Sequence, residues 1–122
     1  MATTTIAYSS VTITCSVAST ATSSTWVAGR ESNEVDNTSN KYDDVLVQGK
    51  ITVGTSPTAS TLILVYVWGS DTSLATTALD VLDGTDSTET LTSAGVRDGF
   101  LRLGAAINVD ATTSDRGYPF GP

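Results

Sequence analysis

Carboxylates are the only side chains in this sequence that are numerous enough to support acid–base chemistry. The chain has 13 Asp and Glu residues, six Lys and Arg residues, one cysteine and no histidine. The missing histidine removes the commonest general base and a common zinc ligand. Glycoside hydrolysis needs only two carboxylates at a suitable separation, so it is the chemistry that the sequence leaves open. The candidate acids are Asp36, Asp43, Asp44, Asp80, Asp83, Asp86 and Glu89.

These acids all lie in polar segments, where solvated surface carboxylates are the simpler interpretation. The stretch 80–89 presents spaced oxygen donors of the kind that bind calcium. Its spacing does not match the twelve-residue calcium loop with a closing glutamate. We therefore expect a protein that is not an enzyme, with no catalytic residue, no metal and no cofactor.

A second possible site is a set of aromatic residues that could stack on sugars or contact another protein. Two of them lie in the most apolar part of the chain, which favours burial in the core or between subunits. The set consists of Trp26, Tyr42, Tyr66, Trp68, Tyr118 and Phe120.

The net charge of −7 restricts the partners of this chain. Binding to phosphate backbones needs clustered Lys and Arg, and the six basic residues are scattered singly. We therefore expect neither nucleic acid nor an anionic membrane as a partner. No stretch approaches the roughly 20 apolar residues of a membrane-spanning helix.

The segment 62–68 is apolar at every position and predicts a central β-strand. Leu62, Leu64, Tyr66 and Trp68 would lie on one face, and Ile63, Val65 and Val67 on the other. Both faces of this strand must then be shielded from water. A second layer of a sandwich would cover one of them, and either a long loop or a neighbouring subunit would cover the other.

Further strands are predicted over 11–17, 26–28, 45–53 and 100–110, where apolar and polar residues alternate. The strand over 100–110 would place Leu101, Leu103, Ala105, Ile107 and Val109 on one apolar face. Cys15 is expected to be a small buried residue within the first of these strands. The turn 54–60 would join 45–53 to 62–68 as an antiparallel hairpin.

The remaining segments read as loops. Residues 31–44 are too polar for a regular element, and residues 72–99 form a long excursion with at most one helical turn. Residues 115–122 are turn-like at first and aromatic at the end, with two prolines that exclude a central strand. The predicted fold is all-β, an antiparallel β-sandwich or jelly roll. Its predicted parts are a Ser/Thr-rich N-terminal arm with one strand, residues 1–24, and a sandwich domain, residues 25–122.

Six segments resemble small structural proteins of tailed bacteriophages. They are WVAGRES (26–32), VDNTSN (35–40), GKITVGTSPT (49–58), VYVWGS (65–70), DGTDS (83–87) and TSDR (113–116). They are framework strings and turns, and they contain no catalytic signature. The resemblance implies a virion component with a β-sandwich fold.

The implied role is that of a cement or decoration protein on the exterior of the phage head, bound to the lattice of the major capsid protein. We also expect self-association, as a trimer in preference to other closed rings. The alternative is a tail or fibre component with a glycan-binding sandwich. The residues expected at the assembly interface are Trp26, Tyr66, Trp68, Tyr118 and Phe120.

Overall fold

The computed structural model describes residues 10–17, 20, 22–39, 44–55, 57–72, 78–110 and 116–121. Within these residues, six strands form three antiparallel pairs, β1–β4, β2–β6 and β3–β5, and one short helix precedes β5. The prediction of a β-rich, antiparallel chain is therefore confirmed. The elements are β1 (Ala28–Arg30), β2 (Gly49–Thr52), β3 (Thr61–Val67), β4 (Thr88–Thr90), α1 (Ala94–Phe100), β5 (Arg102–Val109) and β6 (Gly117–Phe120).

The longest pair, β3–β5, matches the two strongest strand predictions. β3 lies within one residue of the apolar segment 62–68, and β5 lies inside 100–110. Ile63 faces Ile107 across the pair, and Thr61 faces Val109. β-Branched residues suit this pleated, half-buried surface, which explains why the periodic signal is strong here.

The regular alternation of β5 is interrupted at Gly104. Val65 pairs with Ala105 and Tyr66 pairs with Leu103, so Gly104 is the extra residue of a β-bulge. The bulge moves Leu103 to the face of the sheet that carries Tyr66. The prediction that Leu103 shares a face with Ile107 is therefore wrong, because one inserted residue reverses the orientation of all side chains beyond it.

The main core lies between β3–β5 and β2–β6. Ile107, Val109 and Tyr118 are its buried members. Further side chains pack against them from both strand pairs, so β2–β6 covers one face of β3–β5. These partly buried residues are Ile51, Val53, Ile63, Val65 and Phe120.

The predicted hairpin between 45–53 and 62–68 is wrong. β2 pairs with β6, and the amide of Val53 extends that pairing by donating to the carbonyl of Arg116 at 3.0 Å. β3 instead pairs with β5, and the amide of Ser60 donates to the carbonyl of Val109 at 2.7 Å. β6 accommodates Pro119 because each strand of a two-stranded pair has one edge without a partner strand. A residue whose amide would point to that edge makes no inter-strand hydrogen bond, so proline is tolerated there.

The strand predicted over 11–17 is not formed. Residues 10–17 have no regular secondary structure, and Val11 is 60% exposed. Cys15 is a free, exposed cysteine, which contradicts its expected burial. This segment is instead held to the rest of the chain by hydrogen bonds, which are described with the site below.

The stretch 72–99 contains more structure than predicted. Its described part includes β4 and most of α1. The helix has seven residues, whereas the prediction was at most one helical turn. Ser93 is the N-cap, and its side chain accepts a hydrogen bond from the amide of Val96. Residues 31–39 and 44 form no strand or helix, as predicted, and the rest of that loop lies outside the described residues.

Candidate functional site

The face of β3–β5 that points away from the main core is formed by uncharged residues. Leu62 and Leu103 are 47% and 56% exposed, whereas Leu64 and Tyr66 are half-buried and Ala106 is exposed. We call the surface formed by these five residues the open face. It is a bulged sheet face with exposed leucines at two of its corners.

The shape of the open face follows from the register of the strands. Leu62 pairs with Asn108 at one end, and Tyr66 pairs with Leu103 at the other. The two exposed leucines therefore lie on different strands and at diagonally opposite corners. The bulge at Gly104 is what brings Leu103 to this face, so the arrangement depends on a single glycine position.

Arg97 of α1 binds the backbone of the loop that carries Trp26. Its Nη1 donates to the backbone carbonyls of Thr25 at 3.0 Å and Trp26 at 3.3 Å, and its Nε donates to Asp98 at 2.7 Å. The hydrogen bonds that Arg97 donates to the carboxylate of Asp98 raise the pKa of Arg97. Arg97 therefore fixes α1 to the loop that carries Trp26.

Trp26 has an unusual backbone conformation, with φ of 58°. Bulky residues rarely adopt positive φ, because Cβ approaches the following carbonyl oxygen. Ser23 holds this conformation: its carbonyl accepts from the amide of Trp26 at 3.4 Å, and its hydroxyl accepts from the amide of Val27 at 3.2 Å. Trp26 remains 40% exposed, so the loop presents a large aromatic surface on a fixed backbone.

The N-terminal segment is attached through Asp86. Its carboxylate accepts hydrogen bonds from the amide of Ser16 at 3.0 Å, the hydroxyl of Ser16 at 2.7 Å and Nε of Arg30 at 2.8 Å. Arg30 also donates to the carbonyl of Asp86 at 2.9 Å and to the hydroxyl of Thr88 at 3.1 Å. These bonds, led by the one from the amide of Ser16, lower the pKa of Asp86 to about 2. We call Ser16, Arg30 and Asp86 the arm clasp.

Two further contacts support the arm clasp. The backbone amide of Asn33 donates to the carbonyl of Thr14 at 3.0 Å, and the side-chain oxygen of Asn33 accepts from the backbone amide of Thr14 at 2.5 Å. Glu31 accepts from the amides of Asp83 at 3.1 Å and Gly84 at 2.8 Å, while burial raises the pKa of its carboxyl group. The loops that receive residues 10–17 are therefore fixed to each other as well.

The five residues expected at an assembly interface fall into two groups. Tyr118 is 8% exposed and lies in the main core, where its hydroxyl donates to Asp110 at 3.0 Å, and Phe120 packs against the same core. Trp26 is exposed, and Tyr66 and Trp68 are half-buried. Phe120 is half-buried, as Tyr66 and Trp68 are, so Tyr118 is the one member of the five that is buried.

Three of the candidate acids accept hydrogen bonds from different partners. Asp80 accepts from the amide and hydroxyl of Thr92 at 2.7 and 2.6 Å, whereas Asp86 belongs to the arm clasp. Asp83 accepts from an amide of its own turn at 3.0 Å. Within the described ranges, no three Asp, Glu or Cys residues form a group that could hold a metal ion. Asp43 and Tyr42 lie outside the described residues.

Comparison with protein-family models, with curated proteins and with solved structures gave no significant match. The resemblance to phage structural proteins therefore rests on the six sequence segments alone. Across the parts of the chain that the structure describes, no helix has the length and apolar character needed to cross a bilayer.

Proposed function

We propose that this chain is a structural protein of a tailed-bacteriophage particle, and that it binds the exterior of the head as a cement protein on the lattice of the major capsid protein. The observation that carries the proposal is the open face, with Leu62 and Leu103 each about half exposed. Apolar sheet surface of this kind marks a protein-interaction site when it is contiguous.

The distribution of apolar residues supports the same role. Ten large hydrophobic residues in the described part of the chain are exposed, against five that are buried. A folded protein normally exposes single hydrophobic residues, but it encloses most of its large ones. A chain with this balance gains stability when another protein covers it, which is the situation of a capsid cement protein.

The acidic charge fits a protein that is free before assembly. A net charge of −7 keeps separate chains soluble through mutual repulsion. The same charge favours docking on a surface with basic residues at its rim. We place the protein in the virion and on the head exterior, with self-association on the particle as a further part of the proposal.

The arrangement of the strand pairs into layers is part of the proposal. We assign the chain to the β-sandwich or jelly-roll class, with β3–β5 as one layer and β2–β6 as the opposing layer. The packing of Ile63 and Val65 of one pair against the core that contains Tyr118 of the other supports this arrangement. A sandwich of so few described strands leaves edges that neighbouring proteins in a lattice can cover.

Co-sedimentation with purified capsids that lack the protein tests the proposal. Wild-type chain should pellet with such capsids and saturate at a fixed number of copies. Leu103→Asp should pellet at least tenfold less, because it places a charge on the apolar contact. Absence of binding to capsids, combined with binding to tails or to cell-wall glycan, would replace the cement role with the fibre alternative.

A further inference from the structure

The structure contains a binding site whose occupant is a segment of the chain itself, residues 10–17. Asn33 binds the amide and the carbonyl of Thr14, and Asp86 binds the amide and the hydroxyl of Ser16. The contacts therefore involve main-chain groups and one hydroxyl. We call residues 10–17 the arm segment, and we call Arg30, Asn33 and Asp86 the acceptor site.

The arm segment is not part of the hydrophobic core. None of the five buried side chains in the described part of the chain belongs to it, and Val11, Ile13 and Val17 are 60%, 44% and 43% exposed. It has no regular secondary structure and is held by hydrogen bonds to loops and strand ends. Segments with few buried apolar contacts open at little cost. The arm segment can therefore leave the acceptor site while the core stays folded.

A strained turn lies between the arm segment and β1. The amide of Trp26 donates to the carbonyl of Ser23 at 3.4 Å, and Trp26 has φ of 58°. A bulky residue in the left-handed region stores strain, which is relieved when the turn opens. Opening the turn redirects the arm segment without moving the acceptor site, because Arg30, Asn33 and Asp86 all follow the turn in the chain. Strain in the connection to such a segment favours its exchange between copies.

A second copy of the chain offers the arm segment an identical acceptor site. Docking there retains every hydrogen bond that Thr14 and Ser16 make in the single chain. The arm segment carries no charged residue, so its transfer adds no acidic side chain to a neighbour of net charge −7. The arm segment and the acceptor site are two different patches, and contacts between different patches generate closed rings. The trimer expected from the sequence is a ring of this kind.

We propose that the arm segment of one chain docks in the acceptor site of a second copy, where its Thr14 and Ser16 bind Asn33 and Asp86. This deepens the proposed function, on which it rests for its biological setting, because it supplies the contact through which the chains self-associate. In the single chain the arm segment occupies its own acceptor site, and a rising protein concentration favours the exchanged form by mass action. The open face takes no part in the exchange and stays available to the capsid protein.

The native cysteine can report the exchange. Sγ of Cys15 lies 3.9 Å from the carbonyl oxygen of Glu31, and Thr14 binds Asn33, so Ser32 lies between two residues that contact the arm segment. Full-length Ser32→Cys, oxidised with diamide at about 100 µM, should form disulfides between chains, whereas at about 1 µM the disulfide should lie within one chain. A non-reducing denaturing gel separates the two products. The wild type and the double variant Cys15→Ser/Ser32→Cys, each with one cysteine, are the controls for random cross-linking.

Two defective variants give a second test, which decides if no disulfide forms. Asp86→Ala damages the acceptor site and retains the arm segment, whereas Ser16→Pro removes both donors of Ser16 and retains the acceptor site. In sedimentation velocity each variant alone should associate at least tenfold more weakly than the wild type, because hydrogen bonds to a charged carboxylate are lost. An equimolar mixture should recover pairs that contain one chain of each kind.

Thr12→Pro is the matched control for Ser16→Pro. The hydrogen bonds to Asn33 and Asp86 come from Thr14 and Ser16, so Thr12→Pro should associate as the wild type does. Far-ultraviolet circular dichroism of every variant checks that the β-structure is retained. If Asp86→Ala does not fold, the comparison between Ser16→Pro and Thr12→Pro decides.

Three results would overturn the exchange. They are a disulfide that stays within one chain at every concentration, a wild type that remains a single chain throughout, and an association that Ser16→Pro does not weaken. A chain that gives one of these results but binds capsids retains the proposed function and loses the exchange. Chains that exchange arm segments but bind no capsid would support the exchange and remove the cement role.

Discussion

The hydroxyl of Ser16 donates to the carboxylate of Asp86 at 2.7 Å, although 70 residues separate the two in the sequence. The other oxygen of that carboxylate accepts from Nε of Arg30 at 2.8 Å, so one side chain joins three distant segments. Residues 10–17 are thus attached to the β1–β4 pair without forming a strand themselves. The N-terminal arm, as far as it is described, is a clasped segment and not a frayed one.

Asp86→Ala should detach the arm. Hydrogen exchange of the Ser16 amide, followed by NMR, should accelerate about tenfold or more, because the amide loses its acceptor. Asp36→Ala is the control, since the hydrogen bond that Asp36 accepts from the amide of Thr38, at 2.7 Å, lies within one loop and does not involve the arm. Equal exchange of Ser16 in the wild type and Asp86→Ala would show that the arm clasp does not hold the segment.

Acid should weaken the arm clasp within a defined window. The pKa of Asp86 is about 2, below its ordinary value of 3.8, because Ser16 and Arg30 donate to the ionised carboxylate. A depressed carboxyl pKa stabilises the fold above the ordinary value, and this contribution is lost as the pH falls from about 4 towards 2. The exchange rate of the Ser16 amide, corrected for intrinsic chemistry, should rise over that window.

Glu31 provides an internal check on this pH dependence. Burial raises its pKa, so protonation of Glu31 favours the folded state as the pH falls, which is the opposite sign. Comparison with Asp86→Ala isolates the contribution of the arm clasp, because that variant retains Glu31. An acid-induced change of the same size in both proteins would place the titrating group elsewhere.

The positive φ of Trp26 predicts an unusual order of stability among its variants. Trp26→Asn and Trp26→Ala both remove the indole ring, but asparagine tolerates the left-handed region better than alanine. Trp26→Asn should be more stable by about 0.5–1 kcal/mol in urea unfolding. At Thr25, which has no positive φ, the same pair of replacements should show no advantage for asparagine. An advantage for alanine at Trp26 would contradict the strained conformation.

Core packing at Ile107 should dominate the stability of the chain. Ile107 is 7% exposed and packs with Val109 and Tyr118, so Ile107→Ala should lower the free energy of unfolding by about 2–4 kcal/mol. Val45→Ala, at a site that is 72% exposed, should change it by less than about 0.5 kcal/mol. Similar values for the two variants in urea denaturation would mean that the main core is not where the structure places it.

The positions of the two longest strands were predictable from the sequence, but the pairing of the strands was not. The segments that became β3 and β5 carry a strong apolar pattern, which local residue types determine. The turn 54–60 predicted a hairpin, yet β2 and β3 each pair with a strand far along the chain. Long-range pairings depend on how all faces are buried together, and a single turn does not contain that information.

Two local features escaped the sequence-based predictions for physical reasons. Gly95 and Gly99 lower the helix propensity of the segment that forms α1. The helix is supported instead by Arg97, which donates hydrogen bonds to the carbonyls of Thr25 and Trp26. Gly104 marks a bulge, and a glycine inside a strand pattern is the signal that could have predicted it. Without the bulge, Leu103 would have remained on the core face.

The candidate site was predictable in part. Trp26 and Tyr66 were selected as aromatic anchors, and the structure leaves each with surface to offer. Tyr118 was selected for the same chemical reason, but it packs into the core, because residue type does not distinguish an internal contact from an external one. Leu62 and Leu103 were not selected, since their exposure depends on the bulge and on which strands pair.

Cryo-electron microscopy of the phage particle that carries this protein tests the central claim most directly. We expect density for the chain at repeating positions on the outside of the head, with Leu62 and Leu103 covered by another protein molecule. A particle in which the chain is absent from the head, or is present with both leucines facing solvent, would contradict the account.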